Sequence, residues 1–153
     1  RQAISHELPV LRASLKADFV VVNGENATGG MGLSGNQAKE ILKAGADCIT
    51  LGDHAFDQKD MLQFIETEPR IIRPLNFSKS APGRGAAIFT ATRGRKVLVA
   101  QVLGQVFMKQ PFDATVSDVD ALLSRPPLSG QVAASFVASP REANSENMPQ
   151  WHF

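Results

Sequence analysis

Cysteine is almost absent from this chain, since Cys48 is the only one. A single cysteine excludes an internal disulfide. Its place in the apolar run Cys48-Ile49-Thr50-Leu51 predicts a small, buried hydrophobic side chain. We therefore expect a reducing, cytoplasmic setting.

An excess of charge of one sign is also lacking. Lys and Arg total 16 against 15 Asp and Glu, which gives a net charge of +1. This balance offers no electrostatic argument for nucleic acid, a membrane surface or an acidic partner. No stretch approaches the ~18 consecutive apolar residues of a membrane span, so no membrane partner is expected.

Apolar material is sufficient for a core. The chain has 153 residues, of which 43% are hydrophobic, and this is the size of one domain. Pro126-Pro127 is too short to be a domain linker. We expect a single domain over residues 1–153. Because the chain opens at Arg1 with a helical pattern, we also expect that further sequence precedes it.

Hydrophobic periodicity predicts a helix at the start of the chain. Ile4, Leu8, Leu11 and Leu15 fall on one apolar stripe. The continuous apolar run at residues 18–22 is then typical of a strand covered on both faces. The first two elements are therefore expected to be a helix and a strand.

Local signals predict the ends of two further helices. Ser34 is expected to cap a helix that stops at Gly45. Asp57 is expected to cap another helix, which must end before Pro69. Residues 47–51 between them form the second predicted strand, so the order is β-α-β-α.

The pattern changes in the second half. After a short strand at Ile71-Ile72, residues 86–90 and 96–103 are β-rich and are joined by a turn that contains Gly94. A short helix at 118–124 and a last strand at 131–137 are expected. The fold class is therefore α/β, with a mixed sheet and flanking helices.

Two polar segments follow directly after the first two predicted strands. They are Asn23-Gly24-Glu25-Asn26 and Gly52-Asp53-His54. Loops beyond the carboxyl ends of neighbouring strands turn their side chains toward a shared point, where α/β folds bind ligands. We expect these two loops to lie side by side.

The side chains of these loops are suited to metal binding. Glu25 and Asp53 are hard oxygen ligands, Asn26 offers an amide oxygen and His54 offers a nitrogen, a mixture that favours Mn, Fe or Zn over a calcium cage. Two such ions support phosphoester hydrolysis by activating water and withdrawing charge. His54 would protonate the leaving alkoxide as a general acid. Spacing alone leaves an alternative open, namely that both segments are ordinary polar turns.

Several motifs resemble those of one known family in order and spacing over roughly residues 1–137. They are Asp18-Phe-Val-Val-Val-Asn-Gly-Glu-Asn-Ala-Thr-Gly-Gly-Met-Gly-Leu33, Ala44-Gly-Ala-Asp-Cys-Ile-Thr-Leu-Gly-Asp-His54, Asp57-Gln-Lys59, Arg73-Pro-Leu-Asn-Phe77, Pro82-Gly-Arg-Gly85 and Leu103-Gly-Gln-Val-Phe-Met108. This pattern resembles the YmdB family of calcineurin-like metallophosphoesterases, bacterial hydrolases with a binuclear metal centre that act on 2′,3′-cyclic nucleotides. The resemblance implies an incomplete metallophosphoesterase sandwich.

The resemblance assigns roles to residues of the two loops. It implies that Glu25, Asn26 and Asp53 are ligands for Mn, Fe, Zn or Mg, with two ions in the family, and that His54 is the catalytic acid. The family normally has asparagine where this chain has Asp53. An aspartate can still bridge two cations, and its extra negative charge would either tighten metal binding or raise the pKa of His54.

The ends of the chain depart from the family pattern. The family's first strand and its Gly-Asp ligand turn would lie upstream of Arg1, and Pro140 stands where a histidine ligand is expected. A further His-rich segment of the family would lie beyond Phe153. His152 is more simply a terminal histidine than a substitute. The resemblance therefore implies a partial domain with an incomplete metal site.

Two function classes remain open from the sequence. The first is a metal-dependent phosphodiesterase for cyclic nucleotides or related phosphoesters, with RNA possible only as a substrate. The second is a degenerate relative or fragment that acts as a binding or structural protein. Arg84 would contact the phosphate in the first case, although a turn with a solvated arginine explains it equally well. Open strand edges in a partial sheet would favour a homo-oligomer.

Overall fold

The computed structural model describes residues 2–103 and 132–138 of the chain. The helices and strands, in chain order, are α1 (Gln2–Ser14), β1 (Val21–Asn23), α2 (Gly35–Lys43), β2 (Cys48–Thr50), α3 (Met61–Thr67), β3 (Ile71–Ile72), β4 (Ala86–Thr90), β5 (Lys96–Gln101) and β6 (Ala134–Ala138). The expected α/β class is confirmed. The helix expected at 118–124 lies outside the described residues.

The described strands form two three-stranded sheets, where the sequence suggested one mixed sheet. The first sheet has the order β1-β2-β3 and is parallel throughout, with Val22 opposite Ile49 and Ile49 opposite Ile71. In the second sheet β5 lies between β4, which is antiparallel to it, and β6, which is parallel to it. Two isolated bridges, Ile72 with Arg84 and Pro74 with Gln101, link the sheets.

Strand β1 differs from its sequence-based expectation. It begins at Val21, and its two valines are only half-buried. The reason is its place in the order β1-β2-β3, because among the described strands β1 lies at the edge of its sheet. The central strand β2 is instead buried at all three positions.

Helix α2 begins and ends where its sequence predicts. Ser34 has an extended backbone, and its side chain accepts a hydrogen bond from the Gln37 N–H at 3.4 Å. Gly45 follows the helix with a φ of 115°, a conformation that glycine adopts without steric cost. Another hydrogen bond at the start of α2 was not predicted: the Asp60 carboxylate accepts from the Gly35 N–H at 2.8 Å.

The expected start of α3 is wrong. Asp57 does not cap this helix, which begins four residues later at Met61. The Asp57 carboxylate instead lies 2.6 Å from Nδ1 of the His54 ring. A sequence pattern identifies a residue suited to capping, but a nearby imidazole competes for the same carboxylate.

The core has two parts. The first joins the helices to the first sheet and includes Leu33, Ile41, Ile49 and Met61. The second lies around Cys48, Ile72 and Val99, with Phe19 and Phe89 packed on it. Cys48 is fully buried, as its sequence context predicts, and burial raises the pKa of its thiol to about 12.

Helix α1 is confirmed, but most of its apolar stripe remains open. Leu8 packs against the first part of the core, whereas Leu11 is 50% exposed and Leu15 is 73% exposed. The helix also contains Pro9. No helix within residues 2–103 or 132–138 has the length and hydrophobicity needed to cross a bilayer.

Asn76 joins the segment after β3 to the end of β5. Its buried amide donates to the Leu103 carbonyl at 2.9 Å and accepts from the Leu103 N–H at 3.1 Å. We expect Asn76→Ala to lower the free energy of unfolding by about 2–4 kcal/mol, since two buried backbone groups lose this partner. Urea unfolding measures it. Ser78→Ala, at an exposed site, is the control and should change stability by less than about 0.5 kcal/mol; equal losses would contradict this role of Asn76.

Candidate active site

The two polar loops leave the first sheet at the same edge. Asn23 is paired with Thr50 in the parallel ladder of β1 and β2. The ladder continues one step into the first loop, because the Gly24 N–H donates to the Thr50 carbonyl at 2.9 Å. Glu25 and Asp53 therefore emerge side by side, as the spacing of the motifs predicts.

Glu25 is the most buried acidic side chain of this region, with 6% of its surface exposed. Its backbone N–H donates to the Asn23 side-chain oxygen at 2.9 Å, which forms a tight turn at the end of β1. Its carboxyl Oε1 accepts from the Asp53 N–H at 3.2 Å. The first loop is thus tied to the second through Glu25.

Gly52 makes room for the Glu25 carboxyl group. A Cβ atom at position 52 would lie 1.8 Å from Oε1 and 1.9 Å from Cδ of Glu25. Any other residue therefore forces the Glu25 side chain out of its present place. The requirement for glycine here comes from close approach and not from backbone conformation.

Burial and a neighbouring carboxyl group change the protonation of Glu25. Burial, a hydrogen bond with the Asp53 carboxyl and the negative charge of Asp53 together raise the pKa of Glu25 from 4.5 to about 7. Asp53 itself is exposed. The Glu25 carboxyl group therefore holds a proton up to near neutral pH.

His54 lies between two carboxylates. Its Nδ1 is 2.6 Å from Asp57 Oδ2, and its Nε2 is 3.8 Å from Asp53 Oδ1. The hydrogen bond with Asp57, followed by the charges of neighbouring carboxylates, raises the pKa of His54. The ring is about one third exposed, so it is accessible from solvent.

The glycine-rich segment after Asn26 packs beside the second loop. Thr28 N–H donates to the Gly32 carbonyl at 2.9 Å, and the Gln58 side-chain amide donates to the Met31 carbonyl at 2.8 Å. Gly32 has a φ of 73°, and a Cβ there would lie 2.7 Å from the His54 carbonyl oxygen. The His54 carbonyl and the Gln58 side chain therefore border this segment.

The remaining two predicted site residues are on the surface. Asn26 is exposed and follows Glu25 directly, so its amide lies next to the acidic pair in sequence. Arg84 is exposed, and its backbone carbonyl accepts from the Arg73 N–H at 2.9 Å. The hydrogen bonds and ion pairs that Glu25, Asp53 and His54 make with described residues do not include Arg84.

The donor set fits one side of a site for a hard cation. Glu25 and Asp53 present carboxyl oxygens within reach of each other, and a cation there would offset the burial and the negative charge that raise the pKa of Glu25. Within residues 2–103 and 132–138, no group of three or more His, Cys, Asp or Glu side chains forms a complete cluster. Glu25 and Asp53 are therefore candidate ligands that the described residues alone do not complete into a metal site.

Sequence reasoning missed the parts that Asp57 and Gln58 play here. Asp57 contacts the His54 ring and Gln58 contacts the glycine-rich segment. The available signal is the spacing of Asp57, three residues beyond His54, which allows contact within one turn. The same residue suggests a helix cap because aspartate is common at such positions.

Comparisons with known proteins agree with this architecture. A family model described as YmdB-like protein matches residues 1–152. The chain is 30% identical over 148 residues to a 2′,3′-cyclic-nucleotide 2′-phosphodiesterase of Bacillus subtilis (strain 168), with 97% of this chain and 54% of the relative covered.

Two solved structures have the same fold. A hypothetical protein from Thermus thermophilus superposes with a TM-score of 0.78 at 32% identity, covering 92% of this chain and 53% of the other. A novel phosphatase of Mycoplasma pneumoniae has a TM-score of 0.81 at 28% identity, covering 95% of this chain and 52% of the other. The chain spans about half the length of these relatives.

The relatives with a named activity are a phosphodiesterase and a phosphatase. The chain belongs to the YmdB-like family, whose model covers nearly all of it. The expected family membership is therefore confirmed.

Proposed function

We propose that this chain provides the metal-binding and proton-donating loops of a metal-dependent phosphodiesterase that acts on 2′,3′-cyclic nucleotides or related small phosphoesters. One observation carries the proposal: the buried Glu25 carboxyl contacts the Asp53 backbone beside His54, at the carboxyl edge of β1 and β2. The cyclic-nucleotide substrate is taken from the name of the Bacillus subtilis relative.

Glu25, Asn26 and Asp53 would hold the ion, which is Mn, Fe, Zn or Mg in this proposal. When bound, such a cation neutralises charge on a phosphoryl group and activates water for attack. Glu25 must release its proton to become a ligand, and this coupling makes metal binding stronger as pH rises. Asp53 lies opposite it in the second loop.

His54 would act as the general acid. In the cyclic ester the bond between phosphorus and one ribose oxygen breaks, and that oxygen leaves as an alkoxide. An imidazolium near it donates the proton that turns the alkoxide into a hydroxyl group. The raised pKa of His54 keeps a larger fraction of the ring protonated near neutral pH.

The proposed function is tested by hydrolysis of 2′,3′-cyclic AMP with added Mn²⁺. We expect turnover by the unaltered chain and a loss of about 10²–10⁴-fold in kcat for His54→Ala. His6→Ala is the matched control, because His6 is an exposed histidine on α1. Absence of turnover in the unaltered chain, or equal activity in His54→Ala, would contradict the proposal.

A second candidate function is a non-catalytic member of the family that binds without hydrolysis. The incomplete cluster of ligand side chains within the described residues favours it. Binding of 2′,3′-cyclic AMP without turnover, in a sample that contains bound Mn²⁺, would select this alternative. We also propose that the chain assembles into a homo-oligomer and that it acts in the cytoplasm.

A further inference from the structure

We propose that Asp57 is a positioning residue, whose carboxylate holds the His54 ring at Nδ1 so that Nε2 is directed toward the leaving-group oxygen. The inference rests on the proposed function of His54 and goes beyond it by assigning the group that orients the acid. It follows from the 2.6 Å contact between Asp57 Oδ2 and His54 Nδ1.

Asp57 is held in a short turn that also fixes its backbone. The Asp57 N–H donates to the His54 carbonyl at 3.3 Å, and the Ala55 N–H donates to the Gly52 carbonyl at 3.2 Å. Ala55 is fully buried, and Phe56 packs on the ring of Phe77 with centroids 5.8 Å apart. The turn therefore presents the carboxylate from an anchored backbone.

This contact determines which nitrogen of His54 faces the metal loop. A ring whose Nδ1–H is bound by a carboxylate carries its transferable proton on Nε2. Nε2 lies 3.8 Å from Asp53 Oδ1, on the side of the proposed ligands. Rotation of the ring by half a turn would break the bond to Asp57, so the hydrogen bond selects one orientation.

Other tasks for Asp57 do not account for its position. Helix α3 begins at Met61, so Asp57 does not cap it. The adjacent Gln58 has a separate partner, the Met31 carbonyl at 2.8 Å. Lys59, which is exposed and lies in the same stretch of chain, serves as the control for a substitution close to Asp57.

A double-mutant cycle tests the role of Asp57. Asparagine keeps the shape of Asp57 but offers an N–H to Nδ1 and favours the wrong tautomer. With 2′,3′-cyclic AMP we expect Asp57→Asn to lower kcat about 10–100-fold with little change in KM. In the His54→Ala background, Asp57→Asn should cause no further loss. Lys59→Ala, at an exposed position two residues further along, should leave kcat within about threefold of the unaltered chain.

The leaving group provides a second readout. Bis(p-nitrophenyl) phosphate releases p-nitrophenolate, which departs without protonation, so Asp57→Asn should retain nearly full activity on it. A purely structural role would reduce activity on both esters. An Asp57→Asn loss that persists in the His54→Ala background, or that is equal for both esters, would overturn the proposal.

Histidine ¹⁵N NMR separates this proposal from the proposed function. The chain has three histidines, at positions 6, 54 and 152. We expect Asp57→Asn to shift the Nδ1 resonance of His54 and to leave the other two unchanged. If the protein does not hydrolyse 2′,3′-cyclic AMP, the proposed function fails, yet this shift still reports the contact. An unchanged His54 spectrum would overturn the positioning role.

Discussion

Replacement of Gly52 by alanine is expected to lower Mn²⁺ affinity by about 100-fold or more while leaving the chain folded. The new Cβ would occupy the place of the Glu25 carboxyl group, 1.8 Å from Oε1. That group is the end of a flexible side chain, so it is displaced toward solvent and the backbone stays. Changes near metal ligands typically cost ~10–100-fold in affinity, and displacement of a ligand costs more. Calorimetric titration with Mn²⁺ measures the effect.

Two variants test the steric explanation for Gly52. Gly94→Ala places a Cβ in open space at a φ of 74°, so it should cost stability through backbone strain alone and leave Mn²⁺ affinity unchanged. Glu25→Ala combined with Gly52→Ala removes the collision. The double variant should therefore be more stable than Gly52→Ala alone, but it should not regain metal binding. Full Mn²⁺ affinity in Gly52→Ala would show that Glu25 is not a ligand.

The metal-free chain is expected to lose stability as pH rises from 5 to 8. The pKa of Glu25 is 4.5 in the unfolded reference and about 7 in the folded protein, so the folded state binds more protons between these values. Stability contributed by this group is present below pH 4.5 and is lost as pH rises through about 7, a change on the order of 3 kcal/mol. Urea unfolding at fixed pH values measures it.

His54 contributes in the same direction. Its pKa is raised in the folded state, so its contribution is fully present below the unfolded value of 6.5 and is lost as pH rises through the folded value. Glu25→Gln should remove the larger part of the pH dependence, and His6→Ala should leave it unchanged. Stability that rises between pH 5 and 8 in the metal-free chain would contradict the assignment to Glu25.

Added metal should reverse this trend. A cation that binds only the folded state stabilises it by RT ln(1 + [L]/Kd), which is about 2.7 kcal/mol at one hundred times Kd. Because Glu25 must be deprotonated to bind, the gain with Mn²⁺ should be larger at pH 8 than at pH 5. An equal gain in stability at pH 5 and pH 8 would show that Mn²⁺ binding does not depend on deprotonation of Glu25.

Much of the first half of the fold follows from local sequence signals. Ser34 and Gly45 mark the ends of α2, and the polar loops after β1 and β2 predict the position of the site. These signals depend on contacts within a few residues. They are therefore available before any tertiary structure is known.

The packing across the site could not be predicted in the same way. The fit of the Glu25 carboxyl over Gly52 joins residues 27 positions apart, and it depends on the register of β1 against β2. The exposure of Leu11 and Leu15 is similar, since a helical pattern identifies an apolar face but not the element that covers it.

The sequence also could not predict the division into two sheets or the partner of Asp57, because both depend on tertiary contacts. Alternating apolar residues predict strands, but the order of strands is a property of long-range pairing. Asp57 is equally suited to cap a helix or to bind an imidazole, and only the anchored turn around Ala55 decides between them. The sequence therefore predicts which residue types form the candidate site, but it does not predict the contacts that these residues make.

The central claim is that Glu25 and Asp53, brought together from two loops, hold a divalent cation. Electron paramagnetic resonance of free Mn²⁺ during titration of the purified chain at pH 8 tests it most directly. We expect the chain to bind Mn²⁺, with the affinity strongly reduced in Glu25→Ala and in Asp53→Ala and retained in His54→Ala. Mn²⁺ binding that is absent from the unaltered chain, or unchanged in Glu25→Ala, would contradict the claim.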